Sequence, residues 1–282
     1  MTVCVAVKVH DCLVFAADSA STLTATDGDG NQTVLNVYNN ADKVFNLHRG
    51  LPLVAMTCGM GHIGGRSISS LAKEFRHGLN QRDFGFDPAS YTVESVTRSA
   101  HEFFKGKYED AFSVPDANHY LEFWVGGYGS SNSHGEIWRI SLIDGAMHEP
   151  VQLNKEDQPQ AIFWGGQGEA ISRLLIGVDP RFEDVLQEAN VPKELAGQVG
   201  LIARQGLEKP VLSATMPVID TIRLADFLVQ TTIGYFSFAF GSDIVGGAVD
   251  LATVTKFEGF KWVKRKHYYP SELNRNDTDH LC

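Results

Sequence analysis

The chain opens on a period of two. Val3, Val5, Val7 and Val9 alternate with Cys4, Ala6 and Lys8, the pattern of a β-strand whose successive side chains point to opposite faces. His10–Asp11 breaks it, and Cys12–Ala17 follows as a second, more uniformly apolar strand; so short a turn predicts a hairpin. The stretch from Asp18 to Asn40 is rich in Ser, Thr, Asp, Gly and Asn and reads as a long loop at about 19–41. Two further strands, Lys43–Leu47 and Leu53–Cys58, flank the turn residues His48–Pro52. The period then changes. Within Ile63–Leu79, Ile68, Leu71, Phe75 and Leu79 recur at helical spacing, and Thr92 can cap a second helix through about Tyr108.

Strands return at Tyr120–Tyr128, Glu136–Ile143 and Ala146–Leu153, with the hairpin signal Asp144–Gly145 between the last two. A short strand at Ala161–Trp164 precedes a helical region from Glu169 to Leu207, broken by Asp179–Pro180 and Pro192. Ile222–Phe236 reads as a helix, and Ala248–Phe257 with Phe260–Lys264 as a last hairpin. Strands thus come in hairpins rather than singly between helices, which argues against a doubly wound parallel sheet. The predicted class is α+β: two stacked antiparallel sheets with helices on both outer faces, the arrangement that buries every apolar face. Residues 1–282 show no internal repeat and no linker, so one domain is expected, with a polar tail at about 270–282.

Composition narrows the function classes. The net charge of −10 argues against nucleic acid as a partner, since phosphate binding needs a basic patch. The one basic cluster, Lys261–His267 (KWVKRKH), reads as a solvated strand end. No apolar run approaches the roughly 20 residues of a membrane span, and no signal-peptide pattern opens the chain, so no membrane and a cytoplasmic location are expected. Cys4, Cys12 and Cys58 sit in apolar runs as reduced, buried thiols would, and scattered histidines without HxxxH or HExxH spacing predict no metal site.

Candidate chemistry gathers near the N-terminus. After Met1 the chain reads TVCVAVKVHDCLVFAADSAST, placing Thr2 at its head and Asp18 at the end of the second strand. Lys43 follows in NADKVFNL, and MTCGMG (Met56–Met60 with Gly61) forms a small-residue turn after the fourth strand. These features resemble the β-subunits of the proteasome family, which carry an N-terminal threonine, AADSR-like and DKV-like motifs and a glycine turn before the first helix. The resemblance is best over residues 2–80. Further on, DFLVQTTIGYFSFAFGSDIVGGAVDLATV is similar to the stand-alone bacterial proteasome-like proteins of the Anbu type, with Ala248 where those have proline.

The resemblance implies the N-terminal-nucleophile hydrolase fold, a four-layer αββα sandwich. It also implies a threonine-type peptidase in which Met1 is removed, no propeptide is needed and no cofactor is used. Thr2 would be nucleophile and, through its α-amine, general base; Lys43 a fixed positive charge; Asp18 its partner; Gly59 an oxyanion donor, with Cys58 an alternative register. Ser242 and Asp243 match the family's auxiliary Ser and Asp. The expected partners are a peptide or protein substrate and copies of the chain itself, in a ring or open helical array with Ile63–Leu79 or Thr92–Tyr108 at an interface; an ATPase partner is left open. Departures are the GGQG at Gly165–Gly168 in place of a serine-bearing turn, SAS after Asp18 where the family has an arginine, and the long loop. A catalytically inactive structural subunit and an amide hydrolase acting on small molecules remain as alternatives.

Overall fold

The computed structural model describes residues 2–26, 32–155, 157–240 and 244–266. The first hairpin is β1 (Val3–Lys8) and β2 (Leu13–Ala17), and the segment read as a long loop holds a second hairpin, β3 (Ser21–Thr26) with β4 (Gln32–Tyr38). This ribbon stands outside both large sheets and exposes Leu23, Leu35 and Tyr38. With no core to face, it needs no apolar stripe, so its sequence carries no strand pattern.

β5 (Val44–Asn46) and β6 (Leu53–Gly59) follow, and then a two-residue pair, β7 (His62–Ile63) and β8 (Arg66–Ser67), turns about Gly64–Gly65. The small pair delays the first helix, α1, to Ile68–Asn80, where Ser67 accepts the Ser70 N–H at 3.1 Å as its cap. Helix α2 spans Val93–Ala111 behind the expected Thr92, which forms a reciprocal capping box with Ser95. β9 (Leu121–Gly127), β10 (Glu136–Ile143), β11 (Ala146–Gln152) and β12 (Ala161–Gly166) come next. The two proline breaks separate three helices, as expected: α3 (Glu169–Leu175), α4 (Phe182–Glu188) and α5 (Lys193–Leu207). Helix α6 runs Val218–Phe238, longer than its periodicity suggested because it starts directly after Pro217, and β13 (Asp250–Thr255) with β14 (Gly259–Lys264) closes the order.

Two five-stranded antiparallel sheets result, ordered β12-β1-β2-β13-β14 and β11-β10-β9-β6-β5. The alternation of β1 sorts its residues between layers. Val3, Val5 and Val7 pack with Ala225, Leu228 and Val229 of α6, whereas Cys4 and Ala6 face Met56, Cys58 and Trp124 of the opposite sheet. The second sheet turns its outer face, with Leu53, Ala55, Phe123 and Ile140, toward α1 and α2. One core between the sheets and one under each helical layer make four layers, αββα. No helix among the described residues is long and apolar enough to cross a membrane.

Candidate functional site

The pairing of β1 with β2 sets Cys4 opposite Ala17, so the next residue on each strand brings Asp18 level with Val3. The Val3 N–H donates to Asp18 Oδ1 at 3.0 Å, and the Asp18 N–H donates back to the Val3 carbonyl at 3.3 Å. Lys43 reaches the same Oδ1 with its Nζ at 2.7 Å. The other carboxylate oxygen, Oδ2, accepts the Ala20 N–H at 3.1 Å and the Gly246 N–H at 3.0 Å. Asp18 is 0% exposed and Lys43 4%. A charge taken out of water this completely persists only when its hydrogen bonds are filled, and four donors fill those of Asp18. Three are backbone N–H groups, so the fold fixes the carboxylate and the carboxylate in turn fixes the ammonium.

Thr2, Lys43 and Gly59 all border one cavity of about 400 Å³. Thr2 itself is 4% exposed. Its carbonyl accepts the Gln167 N–H at 2.7 Å. The cavity wall is mostly small and polar, with Ser21, Thr22, Asn40, Asp42, Ser69 and Lys73. Asp42 takes part in that wall as an acceptor, bonded by Ser69 Oγ and Lys73 Nζ, each at 3.2 Å. Lys43 is further tied to β6 by its own carbonyl, which accepts the Thr57 N–H at 2.9 Å.

Gly59 ends β6 with φ +96, and a Cβ built there would lie 2.3 Å from the Tyr120 carbonyl oxygen. Only glycine satisfies both conditions. Cys58, the alternative register, sends its side chain into the core between the sheets, where Sγ bonds Glu122 Oε2 at 3.6 Å. The left-handed turn at the cavity therefore falls on Gly59. Burial pushes the Cys4 thiol well above its ordinary range and moves Cys12 up to about 11. All three described cysteines are free and buried.

The GGQG run is not a bystander. Gly166 pairs with Val3 across β1 and β12 at φ +74, and a Cβ there would lie 1.9 Å from the Thr2 carbonyl oxygen. That contact lets the Gln167 amide close on Thr2. Gly246, whose N–H holds Asp18, is likewise a site residue that sequence reasoning passed over; a backbone donor leaves no side-chain signal. Lys266 corrects a further reading. The basic cluster that looked like a solvated strand end includes this lysine, whose side chain is 6% exposed and paired with Asp250. Ser242 and Asp243 lie outside the described residues. Among the described residues, no group of three or more His, Cys, Asp or Glu could hold a metal ion.

No family model and no curated protein matches the sequence. Solved structures do. An Anbu mutant from Hyphomicrobium sp. strain MC1 aligns over 100% of this chain and 95% of its own, with TM-score 0.51 and 15% identity. The chain has the fold of the Anbu proteins. Anbu from Yersinia bercovieri, described as an ancestral β-subunit, aligns over 99% of this chain and 94% of its own at TM-score 0.47 and 15% identity. The four-layer sandwich that the Anbu-type resemblance implied is therefore the fold of this chain.

Proposed function

We propose that this protein is a threonine-type peptidase or amide hydrolase whose nucleophile is Thr2, exposed as the N-terminal residue by removal of Met1. One observation carries the reading: Thr2, Lys43 and Gly59 border a single cavity, with the Lys43 ammonium anchored on the buried Asp18. A free α-amine has a reference pKa of about 7.7–8.0, so near neutral pH a useful fraction is unprotonated. That amine takes the proton from Thr2 Oγ, directly or through water, as Oγ attacks the substrate carbonyl carbon. The neighbouring Lys43 charge favours the developing alkoxide and disfavours protonation of the amine. The tetrahedral oxyanion lies against the Gly59 backbone N–H, and its collapse expels the leaving amine with the proton. Water, deprotonated by the same α-amine, then hydrolyses the Thr2 ester and restores the enzyme.

The wall of small hydroxyl and amide side chains suits substrates with polar groups beside the scissile bond. In this reading the protein works in the cytoplasm as a homo-oligomer. The supporting surface is that of α5 and α6, which expose Leu195, Leu201, Ile202, Ile219, Phe227 and Phe238, rather than α1 and α2, whose outer faces are polar. Hydrolysis of a panel of peptides and small amides by protein beginning at Thr2, beside folded Thr2→Ala, tests the reading. Turnover of peptides assigns a peptidase, and turnover of small amides alone assigns an amidohydrolase. Turnover of neither class by the processed protein leaves a structural subunit and overturns the proposal.

A further inference from the structure

We infer that Lys266 is a positioning residue for the Thr2 centre, acting as a clamp on the two chain segments that present Asp18 and Lys43. The inference rests on the proposed Thr2 chemistry and adds to it a residue distant in sequence.

Lys266 follows β14, yet its ammonium lies beneath the site. Nζ donates to Ser19 Oγ at 2.6 Å, to the Ala41 carbonyl at 2.9 Å and to Asp250 Oδ2. Those three acceptors use all three of its protons. Its backbone N–H donates to Asp250 Oδ1 at 3.1 Å, so Asp250 grips both ends of the residue. Ser19 Oγ passes its own proton to the Ala248 carbonyl. Each contact falls on a strategic position: Ser19 is the residue after Asp18, and Ala41 stands two before Lys43. The two segments also touch directly, the Ala41 N–H donating to the Ser19 carbonyl at 3.0 Å.

A purely structural ion pair at a strand end would sit in water at little cost. This one is buried, with side chains 6% and 2% exposed, and burying two charges is expensive unless the geometry is exacting. The charged groups facing it are Asp250 from β13, Asp42 from the cavity wall and the Asp18–Lys43 pair beside Ser19 and Ala41. Removing the clamp takes one anchor from the Ala41 carbonyl, two residues before Lys43. Displacing Lys43 by even about 1 Å from the nucleophile is enough to cost orders of magnitude in rate.

The test measures the second-order rate at which a small β-lactone acylates Thr2, followed by intact mass across pH 5–9 on N-terminally processed full-length protein. Lys266→Met/Asp250→Asn removes both charges together while keeping an acceptor for the Lys266 backbone N–H position. We expect the folded double variant to melt near the wild type yet label about 10- to 100-fold more slowly. Its acid limb should move to higher pH, since a more distant Lys43 ammonium holds the Thr2 amine pKa down less. Labelling at the wild-type rate with an unmoved limb overturns the inference. Should the double variant fail to fold, Ser19→Ala decides: it keeps the Lys266–Asp250 pair and the Lys266–Ala41 bond and cuts the link to the Asp18 segment, together with the Ser19–Ala248 hydrogen bond. Slower labelling with a displaced limb supports the clamp, and unchanged labelling overturns it. A folded wild type that the lactone does not label at Thr2 fails the underlying reading instead, and the inference falls with it.

Discussion

Replacing Lys43 by methionine separates the chemistry of the site from its architecture. Methionine fills much of the same volume but leaves Asp18, 0% exposed, without its cation. Stripping one partner from a buried ion pair typically costs about 3–5 kcal/mol. Here the carboxylate keeps the Val3, Ala20 and Gly246 N–H donors at 3.0–3.1 Å, and such charge-assisted bonds are each worth about 1.5–3 kcal/mol. The loss should therefore fall below that range, at about 1–3 kcal/mol. For a chain of this size that lowers Tm by roughly 2–5 °C. Hydrolysis should vanish. Thr2→Ala, which removes only a hydroxyl and a methyl, should be equally inactive while melting within a degree or two of the wild type. Melting by circular dichroism beside turnover of the best panel substrate reads both quantities. A Lys43→Met protein that melts like the wild type would refute the dependence of Asp18 on its partner; one that hydrolyses normally would refute the role of the charge.

Three further outcomes follow from the geometry. Gly166→Ala should be strongly destabilised or fail to fold, because its Cβ would lie 1.9 Å from the Thr2 carbonyl oxygen at a backbone φ of +74; a melt within 1 °C of wild type would contradict the close approach. In a Cys282→Ser background, Cys4, Cys12 and Cys58 should resist a thiol-specific disulfide reagent at pH 8 until the chain unfolds, since all three are buried and Cys12 is pushed up to about 11; rapid native labelling would contradict it. Burial holds His48 below its ordinary range, so the unfolded chain takes up that proton first as pH falls and the folded state loses stability below about pH 6.5. His48→Gln should shrink the Tm difference between pH 8 and pH 5.5, and an unchanged difference would contradict that linkage.

Much of the sandwich is legible in the residues because its faces are dry. Val3, Val5 and Val7 alternate strictly with Cys4, Ala6 and Lys8; the valines lie in one core, and Cys4 and Ala6 in another. Thr92 and the Asp144–Gly145 turn fixed local geometry through their own side chains or backbone freedom, so both stand where expected. The β3–β4 ribbon escaped for the opposite reason: lacking a buried face, it has no periodicity to read. Of the site, Thr2, Asp18, Lys43 and Gly59 were accessible only as a constellation carried by resemblance. Each alone is an ordinary residue. Gly166, Gln167 and Gly246 act through backbone groups, which every residue type shares, and left no mark. Lys266 was hidden by its neighbours, since exposed Lys261 and Lys264 made a solvated face the natural reading of the whole cluster. Burial of one lysine among several is a property of three-dimensional packing alone.

The central claim, that Thr2 with a free α-amine is the nucleophile, is met most directly by comparing wild type, Thr2→Ser and Thr2→Ala, each with its N-terminus verified by intact mass. The account predicts that the wild type lacks Met1 and turns over its amide substrate. Thr2→Ser should keep part of that activity, because hydroxyl and amine both remain, and folded Thr2→Ala should have none. Hydrolysis by folded Thr2→Ala, or by wild-type protein that retains Met1 in full, would contradict it.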